Sequence, residues 1–211
     1  MLGAAQTDAL AGTIELFLFP GGYAGLQCVE AGKSVLCIAL GRDRLQRLGS
    51  TWEAVLADLM ASTPLLHDRL AGATPLLARP LAVAGVPYGF LHRDSGATPG
   101  LFRVGDQAAV IPSLTGDGIA IALHTGALAA QGWIDGRSEA AYHRRLVTEL
   151  GGQMRLAVLI HSLAMCGSVQ AAGVRATGWL PGLLRLAAAG TRIRHPLATG
   201  ATARTGGLHP A

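Results

Sequence analysis

The 211-residue sequence predicts an α+β fold, and three observations carry that expectation. Residues 13–40 read as extended chain broken by turns: TIELFLF, then Pro20-Gly21-Gly22, YAGLQCV, a turn at EAGK, and SVLCIAL. Their alternation and β-branched content suit an antiparallel meander better than a parallel sheet. Residues 103–130, RVGDQAAVIPSLTGDGIAIALHTGALAA, pass from a short apolar run through a Pro- and Gly-punctuated loop into an Ala-rich helix. From Ser138 to about Met165 the pattern is helical again. The expected organisation is a sheet with helices over 1–100, a strand–loop–helix segment over 101–135, helices over 136–195 and a disordered tail over 196–211.

Each element follows from local chemistry. The second hairpin turns at Ala31-Gly32, and a two-residue turn there sets Cys28 opposite Val35, with Cys37 diagonal at ~7–8 Å. That separation is too large for an easy disulfide. Residues 52–62 form an amphipathic helix capped by Ser50 or Thr51, with Glu53 in its first turn. A short helix covers residues 65–70. Residues 74–86 look extended, though Pro80 restricts them to an edge or broken strand. A Gly/Ser/Pro-rich loop over 94–100 leads to a strand at 101–104 and a helix from about Asp117 to Gln131. Ser138 is placed to cap the next helix, with Glu139 in its first turn. A last helix is expected over 181–189.

Composition narrows the function classes. Half of the residues are apolar and 14% are charged, enough for one substantial core. The longest apolar-leaning stretch, Met154 to Met165, is interrupted by Arg155 and His161 and is too short to cross a bilayer. The N-terminus lacks the basic start and apolar core of a signal peptide, so the expected location is cytoplasmic. Three cysteines without a CxxC pair fit a reduced compartment, and the seven histidines show no metal-ligand spacing, so no metal is expected. All thirteen acids lie at or before Glu149, where eleven Lys and Arg leave about −2; the remaining six arginines give the tail +6. No nucleic-acid-binding module accompanies that charge. Its expected partner is either solvent alone or an anionic membrane surface, the latter through WLPGLLRLAAAGTRIRHP.

The most informative stretch is Gly105-Asp106, then Pro112, then Gly116-Asp117-Gly118-Ile119 opening the Ala-rich helix. Gly105 lets a backbone approach a ligand closely, and Asp106 can accept hydrogen bonds from sugar-like hydroxyls. Pro112 stiffens the loop, and Gly116 and Gly118 remove side chains at a helix start whose free N–H groups favour negative charge. In order and spacing this resembles the second flavin-contacting motif of the FAD-dependent monooxygenase superfamily, in particular its geranylgeranyl-reductase-like members with the p-hydroxybenzoate-hydroxylase type of fold. FLFPGGYAGLQCVEAGKSVLCIAL resembles the sheet strands that cover flavin and substrate in the reductase-like members, so the likeness spans roughly Thr13 to Ala130. Departures are Gln107 and Val110, where the family often has Ala and His after the Gly-Asp, and Ile119-Ala120 in place of Met-Asn. The halogenase WxWxIP motif is absent.

The resemblance implies FAD as cofactor, held by Gly105, Asp106, Pro112, Gly116, Asp117, Gly118 and Ile119, with Asp106 on the ribityl chain and the helix start at the pyrimidine edge. It implies an oxidoreductase that either reduces a C=C bond of a lipophilic small molecule or activates O₂ to hydroxylate an aromatic or lipophilic one. The family's first motif, a GxGxxG on a βαβ unit, is not in the chain. The expectation is therefore the C-terminal portion of the full flavoprotein fold, with a separate polypeptide as one source of the dinucleotide-binding half. Two rival classes stand beside it: a non-catalytic remnant that binds no flavin alone, and a peripheral membrane module built on the basic tail. Flavin chemistry demands few protein acids, and no catalytic residue is assigned. Tyr23 and His124 read first as packing residues, then as a cavity-lining group and a proton donor respectively; Asp117 reads as a cap, and His161 and Cys166 as packing within an apolar helix.

Overall fold

A computed structural model describes residues 2–93, 98–179 and 182–192, and among them the fold is mixed α+β, with eight helices and a small antiparallel sheet. The chain divides into two units, Met1–Val86 with Leu159–Leu186, and Pro87–Val158 with Ala187–Ala211. The tail expected over 196–211, Pro181 of the expected last helix and residues 94–97 of the expected loop lie outside the described residues.

In the first unit, strands β1 (Ile14–Phe19), β2 (Gly22–Cys28) and β3 (Ser34–Leu40) pair antiparallel in sequence order, as the alternation requires. One face carries Phe17, Phe19, Ala24 and Leu26 into a core with Leu10, Leu59 and Leu66. These last three residues follow or lie on α1 (Ala4–Ala9), α3 (Trp52–Ser62) and α4 (Pro64–Leu70). Thr51 caps α3, its hydroxyl accepting from the Ala54 N–H at 3.3 Å, and Pro64 opens α4 at the position where a missing N–H costs nothing. One ion pair ties a helix to the sheet, Arg69 gripping Glu15 at 2.7 Å; Arg44 of α2 (Arg42–Arg47), paired to Asp58 of α3 at 2.5 Å, lies over the Phe19 ring of the sheet.

The expected register of the second hairpin is off by one. Ala31 and Gly32 do form the turn, both at positive φ (58° and 65°). Two residues, Val29 and Glu30, however, lead into it on the β2 side and one, Lys33, leads out; the Val29 N–H bonds Lys33 O at 2.8 Å. This bulge pairs Cys28 with Ser34 and Cys37 with Gly25, so the two cysteines occupy opposite sheet faces, and both are free thiols. Residues 74–86 form no strand. Pro75, Pro80 and Pro87 interrupt any ladder, and Leu81 and Val83 lie exposed.

In the second unit, β4 (Phe90–Leu91) pairs with β5 (Ala109–Val110). The close approach of Gly89 to Val158, where a Cβ would come within 2.7 Å, fixes the entry to β4. Helices α5 (Gly118–Ile134) and α6 (Glu139–Met165) supply Ile121, Ala129, Tyr142, Leu146, Leu150, Met154 and Ala157 to a core shared with Ala108, Ala109 and Ile111. The α6 residues fall on one stripe at helical spacing, and Ser138 caps the helix by accepting from Ala141 N–H at 3.3 Å. The strand expected at 101–104 does not form, because its backbone groups bond side chains rather than a neighbouring strand. Helices α7 (Gly167–Trp179) and α8 (Gly182–Thr191) are the last elements among the described residues.

Candidate functional site

The Gly-Asp pair lies in a 3-10 turn, Gly105–Gln107, between the extended residue Val104 and β5. Gly105 has φ +57°, the left-handed region that disfavours a side chain. Its N–H donates to Thr125 Oγ1 at 2.9 Å, and Thr125 in turn donates to Ile121 O at 2.8 Å inside α5. The turn is thereby fastened to the helix that the motif opens. A Cβ on Gly105 would meet only ordinary contact, 3.7 Å from Ala122, so backbone conformation rather than crowding requires glycine. Asp106, on this turn, is exposed.

Support comes from α6. The Tyr142 hydroxyl donates to Arg103 O at 2.8 Å, and the Arg103 N–H reaches His143 Nε2 at 3.4 Å. Burial holds the Tyr142 phenol protonated far above its ordinary range. Phe102 packs on Tyr142 with ring centroids 5.3 Å apart. Thr125, Tyr142 and His143 escaped the sequence reading as functional supports. The available signal was a lone threonine deep in an Ala-rich helix and two aromatic rings at the head of the apolar stripe of α6.

Beyond β5, Pro112 is buried and begins a second 3-10 turn, Ser113–Thr115, closed by the Thr115 hydroxyl donating to Pro112 O at 2.9 Å. Gly116 follows at φ +73°. Nothing lies within 4 Å of a Cβ built on Gly116 or Gly118, and Ile119 is 79% exposed. The first ladder bond of α5 runs from Ile121 N–H to Asp117 O, so the N–H groups of Gly118, Ile119 and Ala120 precede the ladder. All seven residues picked from the sequence therefore fall on one continuous segment of one unit, around the start of α5.

Asp117 is not the cap that its position suggests. Its backbone (φ −94°, ψ 5°) is not the extended conformation a capping residue adopts, and its side chain makes no capping bond. The residue is 9% exposed, and among the described residues its Oδ2 has no hydrogen-bond partner. Burial raises its pKa, and the positive charge of Arg192 works in the opposite sense.

His124, on α5, is a satisfied core histidine, its Nε2 2.8 Å from Glu149 Oε2. Burial alone would raise the Glu149 pKa, but hydrogen bonds from Arg145 and His124 outweigh it and hold the carboxyl below its ordinary value. Tyr23 is buried edge-on against His161 at 5.9 Å, a packing role. Cys166 departs from expectation: it is exposed at the α6–α7 junction, 3.3 Å from the Ser168 hydroxyl, rather than packed within a helix. Compared with family models, with curated proteins and with solved structures, the chain has no match.

Proposed function

We propose that the chain is the flavin- and substrate-contacting part of an FAD-dependent oxidoreductase acting on a lipophilic or aromatic small molecule. The observation that carries this reading is the fastening of the Gly105 turn to α5 through Thr125, which joins an exposed carboxylate to an uncovered, glycine-flanked helix start. The residues present fit the cofactor. Left-handed Gly105 keeps the turn free of a side chain, and the open space at Gly116 and Gly118 leaves room for a flat ring system. Asp106 would accept from the hydroxyls of a ribityl chain, while Gly118, Ile119 and Ala120 present backbone N–H groups that precede the helix ladder.

When bound, FAD supplies the electron chemistry, a hydride moved through the ring or the activation of O₂. The chain's own residues bind and orient. The positive end of α5 favours negative charge placed before it by ~0.3–2 kcal/mol, and Pro112 limits the motion of the loop between turn and helix. The pyrophosphate and adenosine have no matching GxGxxG here, and on this reading a separate segment or polypeptide holds them.

The test is an absorbance scan of the purified chain before and after incubation with FAD and desalting. Flavin bands retained by the wild type and lost in Asp106→Ala support the reading. Flavin retained equally in Asp106→Ala overturns it, and a chain that retains none by itself holds FAD only together with the segment that binds the pyrophosphate and adenosine.

A further inference from the structure

Packing leaves α7 covered along only part of its length. Within the first unit its start is fixed to the corner between β1 and β2. Buried Gln170 donates from Nε2 to Phe19 O at 2.8 Å and to Gly22 O at 3.3 Å, and a Cβ on Gly167 would come within 3.0 Å of Pro20. Past Gln170 the described side chains of the helix are uncovered. Ala171, Ala172, Gly173, Arg175, Ala176, Gly178 and Trp179 are all exposed, Trp179 to 88%. Arg175 and Trp179 stand one turn apart and, with Ala176, line a shallow open recess. In the first turn of α8, Arg185 and Leu186 are exposed as well, Leu186 to 72%.

A helix carrying glycines at 167, 173 and 178, whose described side chains past Gln170 are exposed, has little to hold it in water. The chemistry of its outer face selects what covers it. The side chains are small or apolar, with one indole, and their only charges are guanidinium groups. No Asp or Glu follows Glu149 anywhere in the chain, whereas six arginines do. Indole with arginine over an apolar face is the pattern of the lipid–water interface, where the ring sits at headgroup depth and the cation meets phosphate. Among the described residues no single helix is long and apolar enough to cross a membrane, whereas α6 and residues Gly167–Gly173 pass that test only as a pair bent by 103°; the contact argued for here is one of surface.

We propose that the outer face of α7 and the first turn of α8 dock on an anionic membrane surface, Trp179 and Leu186 entering the headgroup region and Arg175 and Arg185 meeting lipid phosphates. This surface is independent of the flavin reading. It brings the chain to the place where a lipophilic molecule resides.

Sedimentation of the full chain with vesicles tests it. The chain should bind phosphatidylcholine vesicles containing phosphatidylserine, release them as salt rises, and ignore phosphatidylcholine alone. Arg175→Gln with Arg185→Gln should weaken binding about 25-fold, roughly fivefold per arginine. Tryptophan emission should shift to the blue on binding, and Trp179→Phe should remove that shift. Both arginines are exposed, so circular dichroism should show the double variant folded as the wild type. Binding that ignores lipid charge or survives the double substitution overturns the proposal. So does arginine-dependent capture of single-stranded RNA, or self-association on this face, with the vesicles left unbound.

Discussion

Replacing Thr125 by valine isolates the bond that joins the Gly-Asp turn to its helix. The hydroxyl is fully buried and accepts from Gly105 N–H at 2.9 Å. Valine keeps the branched shape but offers no acceptor. A buried N–H left unmatched costs ~1–3 kcal/mol, and because Gly105 is half-buried the lower part of that range applies, ~1–2 kcal/mol. A methyl in place of the hydroxyl returns up to ~0.8 kcal/mol of apolar burial. The net loss is then about 0.2–2 kcal/mol, a fall in Tm of at most about 8 °C for a chain of this length. The local readout is sharper: amide hydrogen exchange at Gly105 should accelerate in Thr125→Val and stay slow in Thr125→Ser, which keeps the acceptor. The Tyr142 bond to Arg103 O is untouched, so the segment before the turn should keep its protection. A Gly105 amide equally protected in the valine variant would refute the account of how the turn is held.

Two further substitutions probe local strain and charge. Asp117→Asn should stabilise the protein at neutral pH by about 1–2 kcal/mol, because an ionised carboxylate with a buried, unmatched oxygen is replaced by a neutral amide. The sign follows from the raised pKa. The native state holds this proton more tightly than the unfolded chain, so stability declines as pH rises from the unfolded value of ~3.9 through the higher folded value. Urea titrations should therefore show the asparagine advantage at about pH 7 and its disappearance near pH 3, and a variant less stable at pH 7 would sink the argument. Ala31→Gly should raise stability by about 0.5–1 kcal/mol, since relief of ~1–2 kcal/mol of left-handed strain exceeds the added backbone entropy of ~0.5–1 kcal/mol. A lower urea midpoint for that variant would place the strain elsewhere.

Where neighbouring residues decide the outcome, the sequence is readable. The meander, the Thr51 and Ser138 caps and the long α6 all follow from alternation, side-chain chemistry and a 3.6-residue stripe, and all three are present. Failures occur where a distant residue decides. The expected strand at 101–104 is apolar and extended, but Tyr142 and His143, about forty positions on, take its backbone groups. Helix α2, RDRLQR, buries no residue and so displays no stripe to read. Helix α7 escapes for a related reason: Gln170, the residue that anchors it, does so through an amide rather than an apolar face. The hairpin register slipped because Ala31-Gly32 specifies the turn but not the extra residue beside it.

Asp117 shows where local rules and the site part company. An aspartate just before an Ala-rich helix ordinarily serves that helix by accepting its free N–H groups and placing a negative charge at its positive end. Here the carboxylate turns from that task into a buried position, and the N–H groups of the first turn are left to whatever approaches from outside. A protonated Asp117 leaves the positive end of α5 at full strength toward an external anion; an ionised one partly cancels it, and Arg192 partly restores it. The charge state of this one side chain therefore sets how strongly the helix start attracts negative charge. Asp117→Asn fixes that state as neutral at every pH. If the start of α5 is the binding surface proposed, the asparagine variant should bind an anionic ligand there with little pH dependence, while the wild type loses affinity as Asp117 ionises.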